Sequence, residues 1–182
     1  ICGRVLRAFL DVGFAAAQAG EWASADGVFR DAGNLIKSRQ LSQSLALAEE
    51  AAEDWGNAAE AWRETLRGRP RKADHPDALN DAQVATLWLR AAHCYNQAGN
   101  RGEAITCLKS AIKYAPENLA LRIGRGDLML NDARAEAAGN ELERILDEHP
   151  DHVPALTRMA TLTMQQWGGD ALPLWRRVLR LD

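Results

Sequence analysis

Several things are scarce in this chain. Cysteine occurs three times, at Cys2, Cys94 and Cys107, an odd number with no Cys-x-x-Cys pair. That pattern points to buried or semi-buried free thiols kept reduced. No apolar run approaches the length a bilayer-crossing helix needs, so no membrane insertion is expected within this stretch. The formal net charge is only −3, which supplies no general attraction to nucleic acid. Proline is confined to six positions, leaving long stretches free to be helical. A nucleophile elbow, a phosphate loop, a zinc-protease helix and a paired-carboxylate motif are all missing. No catalytic residue, metal or cofactor is therefore expected, and the chain reads as a non-enzyme. It starts at Ile1 without a secretory leader and stops at Asp182 straight after a helical pattern, as an excerpt of a longer protein would.

What is present favours helix. Hydrophobic residues make up 47% and charged residues 26%, which excludes both a disordered tail and a membrane-embedded chain. Alanine, leucine, arginine and glutamate recur throughout. Amphipathic segments of about a dozen residues alternate with turn signals, at Gly20-Glu21, Gly56-Asn57 and Gly99-Asn100. Helix, short turn, helix is the repeating unit, and Cys94 and Cys107 fall in one such hairpin, where a bridge between them is the alternative to free thiols.

The period is specific. Pro116 and Pro150 stand 34 residues apart. Between Ala85 and Pro116 the chain carries Trp88, Ala91-Ala92, Tyr95, Ala104, Leu108 and Ala111 at fixed offsets. One template then fits five times, starting near Leu6, Arg39, Ala85, Leu119 and Val153. The first helix of each unit carries a small residue: Gly13, Ala46, Ala92, Gly126 and Ala160. The second helix carries another: Ala25, Ala58, Ala104, Ala138 and Ala171. Four residues further on stands a large one: Phe29, Trp62, Leu108, Leu142 and Trp175, the fifth unit needing a one-residue deletion. Small residues let helices cross closely, and bulky ones fill the space beside the crossing.

This pattern resembles the tetratricopeptide repeat family. The resemblance implies an all-α fold, a right-handed α-α superhelix of about five helical hairpins. The units would span 6–38, 39–72, 85–118, 119–152 and 153–182 in one array, with an insertion at 73–84. Asn80 or Asp81 would cap the helix carrying Trp88. Two units are degenerate. The second has Ser42 and Glu49 where large residues are usual, and the fourth has Arg122 and Arg125 at normally apolar positions. A register slip, a loosely packed helix or a covering segment would account for them.

Other local patterns have plain readings. Arg67-Gly-Arg69-Pro-Arg71-Lys72 is the one dense basic run; it lacks interleaved aromatics and reads as a solvated connector. Arg125-Gly126-Asp127 and Gly124-Arg-Gly126 should be wound into a helix and so serve neither adhesion nor phosphate binding. His149 and His152 flank a turn with too few neighbouring ligands for a metal.

In such a superhelix the first helices line a concave groove that receives a partner segment. The groove face would carry Thr86, Arg90, His93, Asn96 and Gln97 in the third unit. It would carry Asp127 and Asn131 in the fourth, and Arg158, Thr161 and Gln165 in the fifth. Arg90 and Arg158 share a template position, which suits a partner offering carboxylates or free carbonyls. The carboxylate clamp of heat-shock co-chaperones maps onto Leu10, Phe14, Ser44, Thr86 and Arg90, of which only Arg90 matches, so that role is disfavoured. The expected function is a protein-interaction scaffold for a protein or peptide partner. A secretion-type chaperone and the regulatory region of a larger enzyme such as a transferase are the alternatives. A cytoplasmic location is expected, with the periplasm as the alternative; the partner, the pathway and the oligomeric state stay open.

Overall fold

A computed structural model describes residues 2–35, 38–67, 78–166 and 168–181. Among them are ten α-helices and no strand. The chain divides into two compact units, Ile1–Tyr114 and Ala115–Asp182. The first holds α1 (Cys2–Gln18), α2 (Trp22–Leu35), α3 (Arg39–Ala51), α4 (Trp55–Arg67), α5 (Asp81–Gln97) and α6 (Arg101–Tyr114). The second holds α7 (Leu119–Asn131), α8 (Ala135–Glu148), α9 (Val153–Gln166) and α10 (Leu172–Leu181). Within each unit every helix packs on the next in sequence. The fold class is all-α, built of helical hairpins.

The small positions explain the packing. Ala25, Ala58, Ala104 and Ala138 have no exposed surface, and Ala171 is buried as well. Gly13, Ala46, Ala92, Gly126 and Ala160 are all buried on the first helices. Beside them Phe29, Trp62, Leu108 and Leu142 are buried, so the small-then-large reading is correct in four hairpins. Trp175 is only half-buried; α10, the last helix, packs chiefly on α9. In the first unit Phe29 anchors a cluster with Ala25, Ala32, Leu41 and Ala48. In the second, Leu142 and Ile145 pack with Ile123, Ala155, Met159 and Leu162.

The two template glycines differ. A Cβ on Gly13 would lie 2.8 Å from Phe29 Cδ1 and closer still to two other ring carbons. A Cβ on Gly126 would meet nothing within 4 Å, so close approach does not require glycine there.

Turn chemistry corrects one reading. Gly56 and Asn57 are not a turn; they lie in the first turn of α4. The turn before them is made by Glu53, at φ 58°, and its counterpart in the fourth hairpin by Ala133, at φ 56°. Gly20 and Gly99, at φ 77° and 79°, hold the same place in the first and third hairpins. All four turns close with one pattern. The next amide donates five residues back: Glu21 to Ala16, Asp54 to Glu49, Asn100 to Tyr95 and Arg134 to Met129, at 2.8–3.0 Å. This is the helix-ending motif that favours a left-handed residue at its centre. Glu53 and Ala133 therefore sit in backbone that suits glycine better.

The degenerate positions have their own account. Arg122 and Arg125 on α7 mark neither a slip nor a loose helix. They reach across to α8, where Arg125 Nη2 donates to the buried Glu141 carboxylate at 2.5 Å and Arg122 Nε donates to it at 3.4 Å. Arg122 also bonds Glu148, which holds that carboxyl below its usual range. Charge pairing thus replaces apolar contact inside this hairpin. Glu49 on α3 is likewise buried, and one of its oxygens accepts from Arg30 Nη2 of α2 at 2.9 Å. At α5 the cap is Asn80: its side chain accepts from the Gln83 amide at 2.8 Å while Gln83 Oε1 accepts from the Asn80 amide at 3.0 Å. Of the basic run only Arg67 is described, as the last residue of α4; the rest, with residues 73–77 of the expected insertion, lies outside the described residues, and 81–84 belong to α5 instead of the insertion.

Two stability outcomes are expected, each read by thermal or urea melting. Gly13→Ala and Ala104→Leu overpack their crossings and destabilise by about 1–3 kcal/mol, whereas Gly126→Ala stabilises by about 0.5–1 kcal/mol through helix propensity. An unchanged Gly13→Ala melt would mean that α1 and α2 do not approach as described. Separately, Ala133→Gly relieves about 1–2 kcal/mol of left-handed strain against a smaller entropic cost, so it stabilises by roughly 0.5–1 kcal/mol. Destabilisation would show that the turn is not left-handed in solution.

Candidate functional site

The first unit bears an open concavity of about 660 Å³ between α3 and α5. Leu47, Glu50 and Ala51 line it from α3, Leu89, Arg90 and His93 from α5, and Trp55 from the start of α4. The spacing on α3 is three and four residues, which sets these side chains on one helical face. Leu47 and Leu89 are 38% and 44% exposed, unusual for leucines on a helix whose other face is core. The His93 ring stands edge-on to Trp55, with centroids 5.9 Å apart.

Arg90 is held in place from below. Its guanidinium lies over the Trp62 ring, 4.8 Å from the centroid, and Nη2 approaches Glu50 Oε2 at 3.5 Å. Glu50 Oε1 in turn accepts from Trp62 Nε1 at 2.6 Å and from Cys94 Sγ at 3.3 Å. Glu50 thus joins the groove to the core beneath it. Burial, followed by the bond to Glu50, pushes the Cys94 thiol up to about 12, and burial pushes Cys107 up to about 11. Both are buried free thiols, so the alternative bridge between them does not form. At neutral pH neither is a thiolate nucleophile.

Of the residues expected on the groove face, Arg90 and His93 line this concavity. Asn96 is half-buried and Gln97 exposed further along α5, and Thr86 is exposed with its hydroxyl donating to Ala82 O at 2.8 Å. In the second unit, Arg158 Nε donates to both Asp127 carboxylate oxygens, at 2.7 and 2.9 Å. These two expected contact residues therefore neutralise one another, each a little over one-third exposed. The Thr161 hydroxyl donates back to Thr157 O at 2.9 Å, while Asn131 and Gln165 are exposed.

Leu47, Glu50, Ala51, Trp55 and Leu89 were missing from the sequence-based set. The signal for three of them was available. His93, Asn96 and Gln97, carried back one hairpin on the template, fall on Leu47, Glu50 and Ala51. The polar positions were sought in the C-terminal half alone, and a search for polar groups passes over Leu47 and Ala51 in any case.

Arg125-Gly126-Asp127 is wound into α7, as expected. His152 Nδ1 accepts from the Ala155 amide at 3.3 Å, and among the described residues no cluster of three or more metal-ligating side chains occurs. No helix among them is long and apolar enough to cross a membrane.

The family model "Tetratricopeptide repeat" matches residues 95–163, and solved structures of that fold superpose on the chain. Residues 95–163 thus carry the tetratricopeptide repeat pattern, and the chain shares the fold of those structures. A crystal structure of MamA protein is similar at TM-score 0.68 and 13% identity, covering 98% of this chain and 92% of its own. Another MamA structure, from AMB-1, gives 0.64 at 18% identity, with 99% and 93% covered. YrrB, described as a TPR protein with an unusual peptide-binding site, gives 0.64 at 12% identity, with 96% and 84% covered. At these identities the likeness shows the fold alone. No curated protein matches it.

Arg90 sits on the stacked Trp62 and beside Glu50, so Arg90→Ala should lower stability by about 1 kcal/mol even without a partner. His93→Ala, which removes one edge contact with Trp55, should shift the melt much less. Equal melts for the two variants would mean that the guanidinium does not rest on the indole.

Proposed function

We propose that this repeat protein is an interaction scaffold that holds a partner's polypeptide segment in the α3–α5 groove. The observation that carries this reading is the pair of half-exposed leucines, Leu47 and Leu89, set in a concavity with Trp55 and rimmed by Arg90, His93 and Glu50. Apolar walls with a few placed polar groups are what a peptide site needs: the walls supply affinity and the polar rim fixes direction. The anchoring residue of the partner is a large apolar side chain, and Arg90 and His93 offer donors to its backbone carbonyls or to a nearby carboxylate. In the second unit, Asn131, Thr161 and Gln165, with the Arg158–Asp127 pair, form a further polar contact face. YrrB, of the same fold, is described as having a peptide-binding site, which agrees with this reading. The role is binding rather than catalysis, in keeping with thiols held far from thiolate.

The test is retention of proteins from the source cell on immobilised wild-type chain against a Leu47→Glu/Leu89→Glu variant of unchanged helical signal. Groove binding predicts at least one protein retained by the wild type and reduced about tenfold or more by the variant, since two buried leucine contacts are worth several kcal/mol. If every retained protein binds the variant equally, the α3–α5 groove is not the site.

A further inference from the structure

A second cavity, of about 590 Å³, lies elsewhere in the first unit and shares no lining residue with the α3–α5 groove. Helix α3 forms its floor, through the stripe Ser42, Leu45 and Glu49, with Ser38 and Arg39 at one end. These stripe positions are three and four residues apart and so share one face. Arg30, Gly33 and Asn34 of α2 wall one side, and Asn57, Glu60, Ala61, Glu64 and Arg67 of α4 the other.

Most polar groups of this trough are already paired. Arg67 bonds Glu64 at 2.5 Å, Glu60 accepts from the Tyr95 hydroxyl and from Arg63, and Arg30 joins Asp26 to Glu49. Two groups are not. The Glu49 side chain is 3% exposed, and while one oxygen accepts from Arg30, the other, Oε2, is buried with no hydrogen-bond partner. A buried carboxylate oxygen left unmatched is costly, and beside a cavity it marks a place for a donor. Arg39, half-buried at the other end of the stripe, makes no side-chain hydrogen bond or ion pair among the described residues.

We propose that this trough binds a primary-amine ligand that also bears a carboxylate, its ammonium group donating to Glu49 Oε2 and its carboxylate lying toward Arg39. An ammonium offers three donors, enough to satisfy the orphan oxygen and to bond the Ser42 hydroxyl or the Asn34 amide beside it. The two unpaired groups are of opposite sign and sit ten residues apart on α3, about 15 Å along the axis. Their long side chains shorten that span, so the ligand is an extended ω-amino acid or a short lysine-bearing segment with a free carboxyl end. An α-amino acid, with its charges adjacent, is too compact.

Protonation gives the site a signature. Burial, the nearby Asp26 and Asp54, and a carboxyl–carboxylate hydrogen bond with Asp26 push the Glu49 carboxyl up to about 7 against the pull of Arg30. An ammonium ligand pairs with the ionised form, so affinity rises with pH through about 7. The other charged groups around Glu49 are Asp26 and Arg30 on α2, Arg39 on α3, Asp54 in the following turn, and Glu60, Glu64 and Arg67 on α4. Linkage also sets the sign for the free protein. A folded value above the unfolded one favours the fold below about pH 4.5, and that contribution is lost as pH rises through about 7.

The experiment is titration of the whole chain with 6-aminohexanoate, hexylamine, hexanoate, glycine and a lysine peptide with a free carboxyl end, followed by calorimetry or amide shifts. Binding is expected for 6-aminohexanoate and the lysine peptide, weaker binding for hexylamine, and none for hexanoate or glycine. Whichever of the first two binds tighter tells a free metabolite from a protein segment as the source. Glu49→Gln should reduce affinity about tenfold or more, as loss of a charged hydrogen bond does, while melting at or above the wild-type temperature at pH 8. Arg39→Ala should weaken 6-aminohexanoate but leave hexylamine unchanged. The groove variant Leu47→Glu/Leu89→Glu should bind normally, which separates this site from the partner groove. Equal affinity for hexanoate, binding unaltered in Glu49→Gln, or no binding by any amine at millimolar concentration overturns the proposal.

Discussion

Helices in this chain approach one another through positions where almost no side chain is present. Gly13 faces the Phe29 ring with no room for a methyl group, and Ala25, Ala58, Ala104 and Ala138 have no exposed surface. A close crossing on one side forces a bulky residue to fill the wedge beside it, hence Phe29, Trp62, Leu108 and Leu142. Once those wedges are filled, the rotation of each helix about its axis is set. The remaining face of α3 is then committed. Leu47, Glu50 and Ala51 turn toward the groove, and Ser42, Leu45 and Glu49 toward the trough. Both candidate sites depend on the same alanine and glycine positions, though none of those residues touches either site.

The skeleton was legible because its signal is a repetition of residue sizes. Alanine at one offset and an aromatic or leucine four places on report the packing directly, and the five crossings follow. Turns were less legible. Glu53 and Ala133 take a left-handed conformation that residue type disfavours, so the search for glycine settled on Gly56, three residues too late. Hydrogen bonds from the neighbouring amides hold that conformation, and they depend on helix ends rather than on side chains. The site was legible in part. Arg90 and His93 were found from polarity and position, but their neighbours Leu47 and Leu89 look like core residues in sequence and declare themselves only through exposure.

Charge inside the helix contacts was the least legible feature. Arg122 and Arg125 read as faults in the repeat until Glu141 is seen between them, an acid with two cations to balance it. Glu49 is the contrasting case. One arginine reaches it, a second acid stands near, and an oxygen is left over. The same residue type in the same kind of burial thus has both its oxygens matched in one hairpin and only one of them in another. Identity and spacing do not separate the two; the number of donors within reach does.

The left-handed turns bear on how the chain moves. Gly20 and Gly99 adopt that backbone without penalty, whereas Glu53 and Ala133 hold it against a bias of about 1–2 kcal/mol each. Strain of that kind is released when a turn opens, so it lowers the local opening free energy without touching the core. Transient fraying is accordingly uneven along the chain, concentrated at the second and fourth hairpin tips and suppressed at the first and third. The Glu53 tip is where α3 hands over to α4, next to Trp55 at the edge of the groove. A short excursion there alters the mouth of the groove while its floor stays packed, so the entrance breathes faster than the walls.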